Sequence, residues 1–454
     1  MADSFLAAKP LAVNPLKVSQ PMGAALAFMG LASTMPLEHG AQGCTAFSKA
    51  FFTRHFREPI ALQTTAMDHV VTIIGADENV VEALRTIAQM HAPQIVGLIS
   101  TGLAEMQGAD ITRSIKQFRS AHPEHAQMSI VPVAAPDTLG NLETGYARAV
   151  EAVITALVPE SASAGRRPRQ VNLLASSMLT PGDVEAIVEW IEAFGLHAVV
   201  LPDLGDALDG HLDDVGYRAT TQGGTTRAQI ASMGESIATL VVGSSLDAAA
   251  DVLAARTAVP DFRFAGLMGV AQCDAFCMTL AQIAQQPVPR RIERQRAQLL
   301  DAMVDCHYPL STARVAIGAD PDVLCMHAQF LQSLGAEVVA PVASARAACL
   351  DALAGATVGD LQDLEFQARE RSADLIISNS HASEPAARLG LPLLRTGFPL
   401  YDQAGAFART WVGYRGSRQA VFDLANLLSG ARREIAPYRS IYWQNTPRAD
   451  EQPA

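Results

Sequence analysis

Apolar runs of strand length alternate with helical patterns along nearly the whole chain. In the middle, residues 170–176 (QVNLLAS) predict a buried strand, and Thr180-Pro-Gly-Asp183 is typical of a helix start. The periodicity of residues 184–194 predicts an amphipathic helix that ends at Gly195, and residues 197–201 (HAVVL) predict the returning strand. Such alternation indicates βαβ units with parallel sheets.

The same unit recurs on both sides of this central block. Residues 314–342 predict a strand, an Asp-Pro-Asp turn, a helix closed by Gly335 and a second strand, and residues 373–380 (ADLIISNS) predict another strand. Residues 95–100 (IVGLIS) predict a strand, and we expect a helix to begin near Ala109. The sequence therefore predicts an α/β fold of three Rossmann-like domains, each with a mostly parallel sheet flanked by helices.

Two changes in composition suggest where these domains are joined. Residues 161–170 (SASAGRRPRQ) are small, basic and proline-bearing, as linkers often are, and residues 286–291 (QPVPRR) are a second break. We therefore expect domains at 1–160, 168–290 and 291–454, the last with a C-terminal extension.

Composition and charge exclude several classes of protein. With 454 residues, 49% of them hydrophobic and 18% charged, the chain can form several cores. A net charge of -12 argues against general binding to nucleic acids or to anionic membranes. The N-terminus lacks the pattern of a secretory signal, and the apolar window between Pro21 and Pro36 is too short to span a bilayer, so it predicts a short buried helix. A cytoplasmic protein is expected.

The common signatures of nucleotide and hydrolase sites are absent from the sequence. It has no G-x-x-x-x-G-K-[ST] phosphate loop, no G-x-G-x-x-G after a strand, no H-E-x-x-H and no G-x-S-x-G. Because ligands of open α/β sheets bind at the carboxyl ends of the strands, the candidate loops follow Ser100, Ser176, Ser244 and Ser378.

The six cysteines are scattered in a pattern typical of reduced thiols. Cys273 and Cys277 would share one helix face, and we expect them to be core residues rather than a metal pair, because no further ligand lies nearby in sequence. Cys325 and Cys349 fall in apolar helical patterns and are also expected in the core. Cys306, beside His307, has no partner motif and stays ambiguous.

Cys44 has a different setting, in the segment HGAQGCTAFSKAFFTRHFREP (39–59). Gly40 and Gly43 remove side chains beside the sulfur, so a bulky inorganic group can approach and backbone N–H groups can point at it. Iron-sulfur clusters are held by thiolates in such surroundings. From these residues alone, a buried structural cysteine in a glycine turn is the stronger interpretation.

Long segments of the chain resemble a known family. The runs VNPLKVSQPMGAALAFMG, HGAQGCTAFSKAFFTRHFREP, TTAMDHVVTIIGADENVVEAL and LISTGLAEMQGADI are similar to successive motifs of the nitrogenase component 1 superfamily, on its β-subunit side. Later runs, AIGADPDVLCMHAQFLQSLGAEVV and LPLLRTGFPLYD, resemble the third domain of that family. The similarity covers almost the whole chain.

The resemblance implies a role for Cys44. The nitrogenase β subunit supplies three cysteines to its P-cluster, from segments similar to KVSQPMGA, HGAQGC and STGLAEM, where this chain has Ser19, Cys44 and Leu103. One strong ligand remains, so the resemblance implies that Cys44 completes a 4Fe-4S cluster whose other ligands come from a paralogous partner, NifE. The backbone of Gly43 and the ring of His39 would support that ligand.

The implied function is an assembly scaffold rather than a catalyst. In an α2β2 heterotetramer with NifE, an iron-molybdenum cofactor precursor would acquire molybdenum and homocitrate before transfer to apo-nitrogenase. The precursor would be held mainly in the partner, delivered by donor proteins, and the Fe protein would dock transiently. Within RHFREP, the side chains that could orient the interface, or equally form a solvated surface, are Arg54, His55, Arg57 and Glu58.

The sequence is also compatible with two other functions. The first is a catalytic β-type subunit, of nitrogenase or of dark-operative protochlorophyllide reductase in the same superfamily. Ser19 and Leu103 count against nitrogenase, while the chlorophyll-pathway enzyme also uses a shared four-iron cluster. The second is a stand-alone α/β enzyme or small-molecule binding protein, which would leave Cys44 and the RHFREP segment unexplained.

Overall fold

The computed structural model describes residues 12–74, 77–138, 140–211 and 218–431, so most of the expected C-terminal extension lies outside it. Within these ranges the named strands form three separate sheets in which every pair is parallel. The predicted α/β fold of parallel sheets flanked by helices is confirmed. The domain limits 1–160, 168–290 and 291–454 stay predictions.

The first sheet has four strands in the order β2-β1-β3-β4. Its part of the chain comprises α1 (Gln20–Met29), β1 (Thr34–His39), α2 (Gln42–Phe56), β2 (Gln63–Thr64), α3 (His69–Ile74), α4 (Asp77–His91), β3 (Ile95–Ser100), α5 (Gly102–Gln107), α6 (Ile111–Ala121), β4 (Ser129–Ala134) and α7 (Leu142–Leu157). The helix expected near Ala109 begins at Ile111, because the Asp110 side chain caps it by accepting from the Arg113 N–H. Helix α5 was not predicted.

The second sheet has the order β6-β5-β7-β8. Its part of the chain comprises β5 (Gln170–Ala175), α8 (Pro181–Ala193), β6 (His197–Leu201), α9 (Leu204–Ala207), α10 (Arg227–Ser232), β7 (Ala238–Val242), α11 (Asp247–Thr257), β8 (Asp261–Phe264) and α12 (Gly269–Ala284). The predicted helix start at Thr180 is confirmed, since Thr180 and Asp183 form a reciprocal capping box. Gly195 follows the helix at a φ of +70°, which favours glycine.

The third sheet has five strands in the order β11-β10-β9-β12-β13. Its part of the chain comprises α13 (Arg290–Asp305), α14 (His307–Leu310), β9 (Arg314–Ala319), α15 (Pro321–Ser333), β10 (Glu337–Ala343), β11 (Thr357–Val358), α16 (Leu361–Glu370), β12 (Leu375–Ser378), α17 (Ser383–Leu389), β13 (Leu393–Arg395) and α18 (Gly413–Gly430). The strand, helix and strand predicted over residues 314–342 are all present.

Helix α1 is buried along its entire length, which confirms the short buried helix predicted from the apolar window. It lies directly against α7 with glycines at the contact. A Cβ on Gly23 would lie 1.8 Å from the Leu142 carbonyl oxygen, and one on Gly145 would lie 1.9 Å from that of Gln20. The two helix backbones therefore touch, and no larger residue fits at either position without displacing a helix.

The hydrophobic cores extend across the boundaries between sheets. One large cluster joins residues around the second sheet to residues around the third, and another joins α1 and the first sheet to the second. In the described part of the chain, no helix is long and apolar enough to cross a membrane.

Candidate functional site

A cavity of about 530 Å³ lies beside the first turn of α2. Segments far apart in the sequence form its wall, and most of that wall is apolar. The lining residues are Pro15, Lys17, Val18, Ser19, Pro21, Met22, Glu38, Gly43, Cys44, Phe47, Ser48, Phe51, Thr101, Asp137, His381, Phe398 and Pro399. The cavity thus lies at the carboxyl ends of β1 and β3, where ligands of parallel sheets bind.

Cys44 lies on this wall, in the first turn of α2. The residues alone favoured a glycine turn at this position, and the structure has a helix there instead. Its N–H donates to the Ala41 carbonyl oxygen at 3.1 Å, and the residue is exposed rather than structural. Partial burial of the sulfur raises the pKa of the Cys44 thiol, and the charges of Glu38 and Asp137 raise it further. The neutral thiol is therefore favoured, and a cation bound beside the sulfur would favour the thiolate.

The two glycines beside Cys44 have different roles. Gly43 lines the cavity, and a Cβ built on it would meet no atom within 4 Å, so the space beside Cys44 is open as predicted. A Cβ on Gly40 would lie 2.6 Å from Thr101 Oγ1, so Gly40 allows the loop after β1 to lie against Thr101.

Ser19 and Leu103, the two other positions that resemble cluster ligands of the family, lie in different places. Ser19 is the N-cap of α1 and lines the same cavity as Cys44. Leu103 lies on α5 in a small apolar cluster with Met67 and Ala104 and does not line the cavity. Thr101, two residues earlier in the chain, lines it instead. Cys44 is the only cysteine among the described residues that line the cavity.

His39 is fully buried at the end of β1 and is not part of the cavity wall. Its Nδ1 is 2.9 Å from Thr65 Oγ1, while Nε2 has no hydrogen-bond partner among the described residues. Burial lowers the pKa of His39 to about 4, so the ring is neutral at physiological pH. Its carbonyl oxygen accepts from the N–H and hydroxyl of Thr101 at 3.2 and 2.8 Å, which joins the ends of β1 and β3.

The RHFREP side chains make contacts within this chain. The His55 ring is buried, and its Nδ1 accepts from the Leu400 N–H at 2.9 Å. The Arg54 guanidinium lies 4.4 Å from the centre of the Tyr401 ring, and Arg57 donates to the Tyr401 carbonyl oxygen at 3.4 Å. Three of these residues thus attach α2 to residues 400–401, which follow the third sheet.

Glu58, the fourth residue of that group, lies apart from the Cys44 cavity. It lines a separate cavity of about 430 Å³ with Asp209. Burial, together with the Asp209 charge, raises the pKa of the Glu58 carboxyl.

The remaining cysteines lie away from the cavity. Cys273, Cys277 and Cys325 are buried, as predicted. Cys349, expected in the core, is half-buried in a short 3-10 helix after β10 and packs at the edge of the core, and Cys306 is also half-buried. In the described part of the chain no three His, Cys, Asp or Glu side chains are grouped so that they could hold a metal ion.

Sequence reasoning missed the two carboxylates of the cavity. Glu38 comes from β1, which contains Pro36 and is a weak strand pattern, and Asp137 comes from the loop after β4. The Asp137 side chain accepts from the Gln20 N–H at 3.1 Å, at the first residue of α1. Only the position of Glu38 just before His39 and Gly40 could have drawn attention to it.

Comparison with known proteins places the whole chain in one group of sequences. The model of the family described as nitrogenase component 1 type oxidoreductase matches residues 19–429. The nitrogenase iron-molybdenum cofactor biosynthesis protein NifN of Klebsiella pneumoniae is 44% identical over 98% of this chain and 97% of its own length. The NifN protein of Bradyrhizobium diazoefficiens is 41% identical over 97% of this chain and 94% of its own length.

Solved structures agree with these sequence matches. A chain of the structure titled "Nitrogenase Cp1 at pH 6.5" superposes with a TM-score of 0.88 at 28% identity, covering 95% of this chain and 97% of its own. A chain of "Nitrogenase Cp1 at pH 5" has a TM-score of 0.70 at 14% identity, covering 97% and 93%, and shares the fold.

Proposed function

The chain belongs to the nitrogenase component 1 type oxidoreductase family, and on that premise we propose that it is a subunit of a cytoplasmic scaffold complex for iron-molybdenum cofactor biosynthesis. With NifE it forms an α2β2 heterotetramer on which the cofactor precursor acquires molybdenum and homocitrate before transfer to apo-nitrogenase. The precursor is the cargo of the complex and is held mainly in NifE. Donor proteins deliver the precursor, and the Fe protein docks transiently. The names of the NifN relatives support a role in iron-molybdenum cofactor biosynthesis.

The observation that carries the proposal is a single exposed thiol in an open cavity. A four-iron cluster takes four thiolate ligands, and the described cavity wall supplies one, Cys44. Ser19 and Thr101 are weak iron ligands, and Glu38, Asp137 and His381 of the wall are not grouped with Cys44 as a metal site in the described part of the chain. A cluster at Cys44 therefore needs a second chain to supply the remaining thiolates.

The residues present fit one corner of such a cluster. The volume next to Cys44 is open because Gly43 carries no side chain and nothing lies within 4 Å of its Cβ position. Cys44 would bind one iron, the Gly43 backbone would border the cluster, and buried His39 would stabilise the strand end behind it without touching the cavity. When bound, the cluster supplies a one-electron redox centre.

The exposed surface around the cavity also supports a partner on this face. Phe47, one turn after Cys44, is 62% exposed although its ring contacts that of Phe51 at a centroid distance of 4.6 Å. Phe47 extends the apolar wall of the open cavity to the protein surface, and a continuous apolar surface of this kind is typical of a site that another protein covers. Both the missing ligands and this apolar rim are explained by one partner subunit.

A catalytic β-type subunit, as in dark-operative protochlorophyllide reductase, is the second candidate. The family and the fold fit this function equally well, and a shared four-iron cluster also needs few ligands from this chain. The scaffold is favoured because relatives 36–44% identical over more than 90% of this chain carry the NifN name.

Purification of the protein from its native host tests the proposal. We expect size-exclusion chromatography and mass spectrometry to show an α2β2 complex with a homologous chain, and iron in proportion to the complex. A functional species that is an iron-free monomer would contradict the scaffold. Conversion of protochlorophyllide by the purified complex with its reductase would instead support the second candidate.

A further inference from the structure

Glu38 places a carboxyl group inside the cavity that Cys44 lines. The residue is 1% exposed, and its Oε2 accepts from the Thr45 hydroxyl at 2.6 Å. The other oxygen, Oε1, has no hydrogen-bond partner among the described residues. The Ser48 hydroxyl lies close enough to lower the pKa of this carboxyl group, but its single proton is donated to the Cys44 carbonyl oxygen at 3.1 Å. One buried carboxyl oxygen therefore lacks the partner that such groups almost always have.

This chain does not provide a cation for Glu38. Lys17 is the only lysine or arginine among the described residues that line the cavity, and its Nζ donates to the Asp137 carbonyl oxygen at 2.8 Å. Burial raises the pKa of Glu38, the Thr45 and Ser48 hydroxyls partly offset this rise, and the charge of Asp137 adds a smaller increase. Two acidic groups thus share a largely apolar cavity with one lysine, which is bound beside Asp137.

A cluster at Cys44 would increase this imbalance. Four thiolates carry more negative charge than the iron and sulfide core neutralises, so the bound cluster is an anion beside Glu38 and Asp137. In an apolar cavity such charges repel strongly, and a cation that reaches them would be correspondingly favourable.

We propose that the partner subunit inserts a basic side chain into this cavity, with its cationic head on Glu38 Oε1 and its aliphatic stem along the apolar wall. The stem of a lysine or arginine suits a wall formed by residues such as Val18, Met22 and Phe51. This inference rests on the proposed function, because it takes the partner to cover this cavity. The contact would be a charge-assisted hydrogen bond shielded from water.

The competing possibility is that Glu38 keeps its proton and needs no cation. The isosteric substitution Glu38→Gln separates the two, because glutamine reproduces a neutral carboxyl group but cannot pair with a cation. We would measure the dissociation constant of the complex between this chain and its partner subunit, and the thermal midpoint of this chain alone.

With a cation on Glu38, Glu38→Gln should weaken association roughly tenfold or more, since a charged group of the partner loses its buried counterpart. The thermal midpoint of the isolated chain should not fall, because the free chain has no cation there to lose. The matched control is Glu143→Gln, another buried carboxyl that is not part of the cavity wall, which should leave the dissociation constant unchanged. Unchanged association of Glu38→Gln would overturn the proposal, and so would a lowered thermal midpoint of the isolated variant.

The wild-type complex distinguishes this inference from the function on which it rests. If the wild-type chain binds neither a homologous partner nor iron, the scaffold proposal fails and this inference fails with it. If the wild-type complex forms with iron and Glu38→Gln associates as tightly, the inference alone fails.

Discussion

Asp322 donates its backbone N–H to the Glu143 carboxylate at 2.8 Å, although the two residues are 179 positions apart. Glu143 lies in the first turn of α7, after the first sheet, and Asp322 in the first turn of α15, after β9. The second sheet joins them through Ser245, whose N–H and hydroxyl donate to Asp322 Oδ2 at 3.1 and 2.6 Å. The three parts of the fold meet at these buried carboxyl groups.

Stability should fall as pH rises because of this pair. Burial raises the pKa of Glu143, and the negative charge of Asp322 raises it further. Burial also raises the pKa of Asp322, to about 6. Above the ordinary carboxyl pKa values near 4, these groups are ionised in the unfolded chain but still protonated in the folded chain. Each such group therefore lowers the free energy of unfolding by up to about 1.4 kcal/mol per pH unit, until it ionises in the folded chain as well. Glu143→Gln removes one of these groups, so the variant should have a higher thermal midpoint than the wild type at about pH 8. Its thermal midpoint should also fall less between about pH 5 and 8, and calorimetry measures both effects.

The control for this prediction is Glu185→Gln, which removes an exposed carboxylate from α8. It should leave the pH profile of the thermal midpoint unchanged. A Glu143→Gln profile as steep as that of the wild type would mean that other groups set the pH dependence.

Cys44→Ala should remove or destabilise the interfacial cluster while leaving the chain folded. The thiol is exposed in the first turn of a helix, so its loss should change the free energy of unfolding by less than about 1 kcal/mol. Iron content and the electron paramagnetic resonance signal of the complex should both fall. Unchanged iron and spectra would show that the thiol has another role.

Replacing both Cys273 and Cys277 by alanine should cost stability and no iron. Both are buried, and the Cys273 thiol donates to the Leu267 carbonyl oxygen at 3.3 Å. Loss of their packing should lower the free energy of unfolding by roughly 1–3 kcal/mol for each residue. Denaturant titration and metal analysis of the purified complex measure the two effects, and metal lost from a normally folded variant would contradict this assignment.

His55→Ala should destabilise the chain through the contact between α2 and residues 398–400. The ring accepts from the Leu400 N–H and lies 4.9 Å from the Phe398 ring, and burial lowers the pKa of His55 to about 3, so it packs as a neutral group. Removing the ring should cost about 3 kcal/mol, because it leaves a cavity and an unpaired N–H. Arg54→Ala, at an exposed neighbour, should cost less than about 1 kcal/mol by the same denaturant titration.

Much of the fold could be predicted because local patterns and tertiary structure agree. The strands at 95–100 and 197–201, and the helix capped at Thr180, have the predicted positions because their apolar periods and caps are local signals. Helix α5 was missed because six residues after a strand carry too little periodicity, and it begins at Gly102.

The site was predictable only in part, because it depends on contacts between distant segments. Cys44 and Ser19 could be singled out by resemblance, and the structure brings both to one wall. No sequence pattern indicated that His55 would be buried against residues after the third sheet, and the only signal for Glu38 was its position before His39 and Gly40. The proposed roles of Gly43 and His39 towards a cluster stay predictions.

The glycine contact between α1 and α7 determines how easily this wall could change its ligand count. Ser19 is the N-cap residue of α1, whose backbone is held against α7 at Gly23 and Gly145, so the backbone of Ser19 occupies a fixed place beside the wall. Ser19→Cys exchanges one oxygen for sulfur on that fixed backbone and would give a wall with two thiols. Leu103 lies away from the wall, in its own apolar cluster, so a cysteine at that position would reach the wall only if α5 itself moved. At the three positions that resemble family ligands, a wall with two thiols therefore lies one substitution away, whereas the third thiol requires a rearranged backbone.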